Sequence, residues 1–200
     1  MRHALLALVL AACAVAPLAH ADGDPASDYL YTQQVFVPLD IKASRQALGD
    51  LQRTVAGATK AGFPIRVAVI GSAYDLGAVP ALWRKPRTYA RFLGAELAFV
   101  YKGRLLIVMP NGFGFYWRGR PATREYATLA TVSIGPGAEG VVRAAQDAVS
   151  QLAAASGVEV AEASPPHSTA NRDRVTILVA AIALVGLALL VRLGLRRRRA

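Results

Sequence analysis

Acidic and basic side chains supply most of the chemistry that this sequence offers, because histidine and cysteine are nearly missing from it. The three histidines are His3, His20 and His167, and the one cysteine is Cys13. All four lie outside residues 29–157, which excludes Ser–His–Asp and Cys–His nucleophilic systems and typical catalytic zinc sites from that part of the chain. No Walker sequence, GxSxG or dinucleotide-binding fingerprint is present either.

Asp75 is the strongest acidic candidate, because it follows Ile65–Ile70, an almost entirely apolar run that predicts a central strand. Sheets of the α/β class bind ligands beyond the carboxyl ends of their strands. With Asp40 or Glu96 beside it, Asp75 would offer the oxygen ligands that Ca²⁺ and Mg²⁺ favour. The preferred interpretation is a turn in which Asp75 accepts backbone hydrogen bonds. No cofactor is therefore expected, and calcium or magnesium stays the alternative.

Seven basic residues form two groups around a helix that is predicted to begin at Pro86 and around an aromatic strand. If the groups converge, they form a basic face suited to phosphate headgroups or anionic wall polymers. The simpler interpretation is a solvated face without function, although cations at a helix start are electrostatically unfavourable and indicate some other reason for their presence. The first group is Arg84, Lys85, Arg87 and Arg91, and the second is Arg118, Arg120 and Arg124.

The aromatic strand itself, Asn111–Trp117, combines two glycines with four aromatic residues. Its rings would stack on sugars or lie at a membrane interface if they are exposed. The simpler interpretation is a short strand whose rings belong to the core.

The N-terminal segment, residues 1–21, has the pattern of a secretory signal peptide. A basic start is followed by an apolar run and by small residues, which predicts cleavage after Ala21. A rival interpretation is that Leu10–Cys13 is a bacterial lipobox, in which case Cys13 is lipidated.

The C-terminal segment, residues 174–192, predicts a transmembrane helix, because it contains seventeen uncharged residues between Arg174 and Arg192. The tail at 193–200 is rich in arginine and lacks acidic residues. The positive-inside rule then predicts a single-pass protein of the cell membrane, with its C-terminus in the cytoplasm and its N-terminal part outside.

Most of the net charge of +10 comes from the N-terminal and C-terminal segments just described. Residues 22–172 contain 16 basic and 12 acidic residues, a net charge of about +4. Nucleic acid is therefore excluded as a partner. The lipid bilayer is the expected one, with an envelope protein or an anionic polymer as further candidates.

The part between the two ends predicts one α/β domain, a layered sheet with flanking helices, at residues 29–157. A polar lead-in at 22–28 precedes it, and a stalk at 158–173 follows it. The expected strands are Tyr29–Val37, Ile65–Ile70, Leu97–Tyr101, Arg104–Met109 and Phe113–Trp117, with a helix end as the alternative for Leu97–Tyr101. The expected helices are Ala43–Ala61, one that begins at Pro86, and Glu139–Ala155.

A family resemblance rests on this order of elements. The helix that ends in Lys60-Ala61-Gly62 leads into Ile65–Ile70, and a later helix leads into Leu105–Pro110 and the aromatic strand. Over about residues 43–120 the order resembles the TPM domain of exported proteins, which often carry a signal peptide and a C-terminal transmembrane helix. Acid phosphatase activity and acidic metal sites are proposed for some members. The family's Asp-x-Ala-Gly and Asp-Asn-Gly stretches are replaced here by Val35–Asp40 and Val100–Gly103, which weakens both proposals for this chain.

Taken together, the sequence predicts a membrane-anchored, extracytoplasmic accessory or binding module of the cell envelope, more a binding protein than an enzyme. Two alternatives stay open. One is a metal-dependent phosphatase or hydrolase that uses carboxylates around Asp75, and the other is a basic adaptor to anionic lipid or wall polymer.

Overall fold

A four-stranded mixed sheet organises the fold in the computed structural model, which describes residues 23–160. Its order is β1-β2-β3-β4; the first three strands are parallel, and β4 is antiparallel to β3. Ile65, Arg104 and Trp117 are neighbours across the sheet. The first residues of β2 and β3 and the last residue of β4 therefore lie at the same end of the sheet. The strands are β1 (Val35–Phe36), β2 (Ile65–Val69), β3 (Arg104–Met109) and β4 (Gly112–Trp117).

Five α-helices flank this sheet within residues 23–160. Residues of α2 and α5 form a buried cluster with one face of the sheet, and residues of α1 and α3 form a second cluster with the other face. The domain therefore has the α/β architecture that the sequence predicts. The helices are α1 (Pro25–Leu30), α2 (Arg45–Lys60), α3 (Pro86–Glu96), α4 (Thr123–Leu129) and α5 (Gly137–Ala155).

The central strands are apolar apart from Arg66 and Arg104, because helices cover both of their sides. In β3, Leu106 and Val108 point to the cluster with α2 and α5, whereas Leu105 and Ile107 point to the cluster with α1 and α3. All four side chains are buried. A strand with only one covered face would alternate apolar with polar residues instead.

The two helices on one face are joined at their first turns. Ser44 is the N-cap of α2, and its hydroxyl accepts a hydrogen bond from the Ala47 N–H at 3.1 Å. The Glu139 carboxylate at the start of α5 accepts the Ser44 N–H at 2.7 Å and the Ser44 hydroxyl at 3.0 Å. These bonds, with one from Arg143, lower the pKa of Glu139. The carboxylate thus pins α5 to α2.

The strand expected at Tyr29–Val37 is wrong for most of its length, since only Val35–Phe36 is extended. Asp24 caps α1 through the Ala26 N–H at 3.1 Å, and Pro25 occupies the first helical position, where it needs no N–H donor. The helix buries Ala26 and Leu30. Local capping thus outweighs the β-propensity of the aromatic residues. The expected lead-in at 22–28 consequently contributes to the fold, from Asp24 onward.

Two further elements differ from expectation. Leu97–Phe99 is a 3₁₀ turn that ends α3, so the expected strand there is wrong and the alternative of a helix end is confirmed. The short helix α4 was not expected, because seven residues contain too few helical turns for a clear apolar period. Helix α4 contributes Tyr126 to the groove described below.

Several predictions fall on residues outside the described range. They are the signal peptide, the Cys13 lipidation, the cleavage after Ala21, the transmembrane helix at 174–192, the tail, and all of the stalk beyond residue 160. Of the helices within residues 23–160, none has the length and apolarity that crossing a bilayer requires.

Candidate functional site

A groove of about 510 Å³ runs along the free edge of β4, between α3 and α4. Strand β4 ends the sheet, so one side of its backbone faces this groove rather than another strand. Three arginines from separate positions meet here with aromatic rings. Its lining includes Arg87, Arg91, Tyr116, Trp117, Arg120 and Tyr126.

Helix α3 supplies one wall because two glycines let it approach β4 closely. A Cβ atom on Gly114 would lie 1.9 Å from the Pro86 carbonyl oxygen, and a Cβ on Gly94 would lie 2.1 Å from Tyr116 Cδ1. No side chain fits at either position. Arg87 and Arg91 are one helical turn apart, so they share the face that borders the groove.

Tyr126 of α4 closes the opposite wall. Its hydroxyl accepts the Phe115 N–H at 2.9 Å and donates to the Phe115 carbonyl at 3.1 Å. These two groups would otherwise be unpaired at the sheet edge, where exposed backbone invites aggregation. The Arg87 guanidinium lies 4.3 Å from the centre of the Tyr126 ring. The two walls are therefore bridged by a cation–π contact across the groove.

Trp117 contacts two more guanidinium groups at the end of the sheet where β2 and β3 begin. Arg104 lies 4.1 Å and Arg120 lies 4.3 Å from its ring centroid, and Arg104 also lies 4.1 Å from the Phe63 ring. Burial lowers the pKa of Arg104, while the nearby Glu125 carboxylate acts in the opposite direction. Arg104 thus serves as packing between two rings, whereas Arg120 is exposed at the rim.

The groove arginines lack acidic partners within residues 23–160. The ion pairs in that range are Arg53 with Asp50 and Arg143 with Glu139, and neither lies at the groove. A cluster of like charges is unfavourable in the free protein, and an anionic ligand relieves this repulsion. Arginine is also the side chain whose planar fork fits carboxylate and phosphate in a bidentate manner.

A smaller depression of about 390 Å³ adjoins the groove, and the two share Arg87. Lys85 and Asn111 line it. The Asn111 side-chain amide donates to the Arg84 carbonyl at 2.7 Å and holds Arg84 in a left-handed conformation with φ of 59°. Such a conformation in a residue other than glycine is strained and persists only where its surroundings impose it.

The two predicted basic groups therefore converge in part. Arg87, Arg91 and Arg120 line the groove, and Lys85 lines the adjoining depression. Arg84 and Arg118 are exposed but line neither space, and Arg124 donates a hydrogen bond to the Ala155 carbonyl. The aromatic residues of β4 differ in exposure: Phe115 is buried, whereas Phe113, Tyr116 and Trp117 are half-buried.

Tyr126 and Arg104 were not singled out by the sequence. Their contacts join residues that are 11 and 13 positions apart, a separation without a helical or strand period. A signal was present only for Arg104, whose position at the start of an otherwise apolar strand is unusual.

Asp75 lies at the other end of the sheet, in a cavity of about 320 Å³ beyond the carboxyl ends of β1 and β2. Its Oδ2 accepts the N–H groups of Gly71 and Ser72, both at 2.7 Å, and its Oδ1 accepts the Ser72 hydroxyl at 3.1 Å. This is the geometry of the expected turn. Asp40 and Lys42 line the same cavity, whereas Glu96 does not.

Metal ligation at Asp75 would have to compete with those three hydrogen bonds. Among residues 23–160 no group of three or more His, Cys, Asp or Glu side chains is arranged to hold a metal ion. The Asp75 metal site stays a prediction.

Comparison of the chain with protein-family models, with curated proteins and with solved structures gave no match. The resemblance to the TPM domain also stays a prediction.

Proposed function

We propose that this chain is a membrane-anchored, extracytoplasmic binding module of the cell envelope that holds an anionic sugar polymer in the groove beside β4. The observation that carries the proposal is the meeting of Arg87, Arg91 and Arg120 with three aromatic rings, without an acidic partner in residues 23–160. The predicted signal peptide and transmembrane helix supply the anchorage and the orientation.

The chemistry of the groove favours a charged sugar over a simple anion. Guanidinium groups bind carboxylate or phosphate substituents through paired hydrogen bonds. The aromatic rings of Tyr116, Trp117 and Tyr126 line the groove. Guanidinium groups already lie against Trp117 and Tyr126, so a sugar ring would pack on the aromatic surface that they leave open. The volume of about 510 Å³ lies within the usual range of ligand sites, roughly 300–1,000 Å³. An extended polymer fits a groove that runs along a strand.

Binding by the detergent-solubilised full chain tests this proposal. The probes are an oligogalacturonate as the charged sugar, a neutral gluco-oligosaccharide, and inorganic polyphosphate as charge without a ring. We expect binding of the oligogalacturonate, with Arg87→Gln and Arg120→Gln each weakening it about tenfold, a loss of about 1.4 kcal/mol. The matched control is Arg45→Gln, an exposed arginine that does not line the groove.

The three probes separate the outcomes. Equal binding of polyphosphate and oligogalacturonate would show a general anion site and overturn the sugar assignment. Binding that Arg45→Gln weakens as much as Arg87→Gln would overturn the groove as the site.

A second candidate is a metal-dependent phosphatase or hydrolase, and the cavity that Asp40 and Asp75 share favours it. Phosphomonoester turnover should be measured from pH 4 to 8 with Ca²⁺, Mg²⁺ or Mn²⁺ and with chelator. Asp40→Asn is the sharper variant, because Asp75→Asn also disturbs the turn that Asp75 caps. Metal-dependent turnover that Asp40→Asn abolishes would support the enzyme. Turnover that is insensitive to metal and to this substitution would exclude this cavity as its source.

A further inference from the structure

An exposed aromatic ring with cations around it occupies the end of the sheet at which β2 and β3 begin. Phe99, in the 3₁₀ turn after α3, is 96 % exposed, and Val100 beside it is also exposed. An exposed phenylalanine side chain is unfavourable compared with a buried one, because its apolar surface stays in contact with water. Phe99 follows α3 and precedes β3, which places it at the end of the sheet where Ile65, Arg104 and Trp117 lie. We call this end, at which β2 and β3 begin, the amino end of the sheet.

Positive charge accompanies the ring. Within residues 23–160, exposed basic residues outnumber exposed acidic ones in the segments that border the amino end. Tyr101, two residues after Phe99, is fixed there by the Arg66 guanidinium 4.2 Å from its ring and by a hydrogen bond from its hydroxyl to the Arg104 carbonyl. The Phe99 turn is thus held on a rigid base. The exposed basic residues there are Lys60, Lys102, Arg118, Arg120 and Arg124, and the exposed acidic ones are Asp28, Glu96 and Glu159.

The chain leaves the folded domain at this same end. Helix α2 runs toward the amino end, because its last residue, Lys60, is followed closely by β2. Val160 lies near the C-terminal part of α2, with its Cγ1 3.5 Å from the position that a Cβ on Gly57 would occupy. The rest of the predicted stalk, residues 161–173, follows, and a coil of 13 residues reaches roughly 18–22 Å before the predicted transmembrane helix. The predicted membrane anchor is therefore connected to the domain through its amino end.

We propose that the amino end of the sheet, at Phe99, Lys102 and Arg118, is a docking surface for an anionic lipid bilayer. Phe99 enters the boundary between headgroups and acyl chains, as aromatic residues do at membrane interfaces. Lys102 and Arg118 contact the lipid phosphates, and anionic lipid strengthens these contacts. This inference rests on the membrane anchor of the proposed function and is independent of the groove ligand.

Spin labels on the full chain in nanodiscs test the surface. The labelled variants are Phe99→Cys and, as a matched control, Tyr74→Cys, both in a Cys13→Ser background. Tyr74 is 93 % exposed and lies in the turn after β2, at the opposite end of the sheet. In phosphatidylglycerol nanodiscs we expect the label at residue 99 to be relaxed by oxygen more than by a water-soluble nickel chelate. The label at residue 74 should show the reverse.

Charge reversal tests the role of the lipid charge. Lys102→Glu with Arg118→Glu should abolish the oxygen preference of the label at residue 99, whereas Lys42→Glu with Arg45→Glu, the same charge change at the other end, should leave it. A label at residue 99 as water-accessible as that at residue 74 would overturn the proposal. Equal immersion in phosphatidylcholine nanodiscs would overturn the anionic-lipid part. Oligogalacturonate binding by the same labelled chains separates these failures from a failure of the groove.

Discussion

The Tyr89 hydroxyl of α3 lies 2.7 and 2.8 Å from the two carboxylate oxygens of Asp24, and both side chains are buried. Asp24 also caps α1, so one carboxyl group ties the start of the described chain to the helix that forms a wall of the groove. Burial raises the pKa of Asp24 to about 6, and the negative charges of Glu96 and Asp28 add to the increase. The bonds from Tyr89 and from the Ala26 N–H oppose it.

Asp24 should make the domain less stable as the pH rises from 3.8 to about 6. The folded state holds the Asp24 proton more tightly than the unfolded state, so the stabilisation is complete below 3.8 and is lost as the pH rises through about 6. Asp24→Asn should remove this decline in urea unfolding measured across the range. The exposed Asp40→Asn should retain it, and an unchanged decline in Asp24→Asn would refute the assignment.

Glu139 should contribute with the opposite sign. Its pKa is lowered by the Ser44 and Arg143 bonds, so its stabilisation is present above the ordinary value of 4.5 and is lost as the pH falls. Glu139→Gln should lower the urea midpoint at neutral pH, with the difference from wild type shrinking in acid. Glu159→Gln, a change at an exposed glutamate, should have little effect at any pH. A Glu139→Gln deficit that persists in acid would show that charge is not the cause.

Tyr126→Phe should destabilise the domain by about 1–2 kcal/mol, because the Phe115 N–H and carbonyl lose their hydrogen-bond partner. The ring that Arg87 contacts is kept, which separates the edge closure from the aromatic surface of the groove. Urea unfolding measures the change. Tyr74→Phe removes a hydroxyl that is exposed to solvent and should be neutral. Equal effects of the two substitutions would contradict the role given to the Tyr126 hydroxyl.

Gly114→Ala should destabilise the domain by about 1–3 kcal/mol or more, since its Cβ would meet the Pro86 carbonyl at 1.9 Å and push α3 from β4. The groove wall would move with the helix, so oligogalacturonate binding should weaken as well. Gly57→Ala is the control in α2, where the nearest atom is at 3.5 Å. That change should instead stabilise by about 0.5–1 kcal/mol, because alanine is the better helix former. A neutral Gly114→Ala in thermal unfolding would show that α3 does not need the close approach.

Local patterns in the sequence determined the layered α/β architecture and most of its elements. The run Ile65–Ile70 is apolar at every position except Arg66 because helices cover both faces of its strand, and that burial can be read without coordinates. The stripe on α2 and the proline at the start of α3 likewise act within their own segments. Tyr29–Val37 was misjudged because a cap five residues before Tyr29 and a proline four residues before it decided its conformation.

The tertiary structure alone decided which functional groups meet. The sequence identified Arg87, Arg91 and Arg120 as members of two basic groups, but the groove exists because β4 folds back antiparallel beside α3 and α4 then covers its edge. Tyr126 acquires its role from a contact with Phe115 that no periodicity encodes. Asp75, in contrast, forms the turn that its own neighbours predict, because all three of its hydrogen bonds come from residues three or four positions away. Short-range hydrogen bonding and burial are written into adjacent residues, whereas the convergence of distant charges depends on how the whole sheet packs.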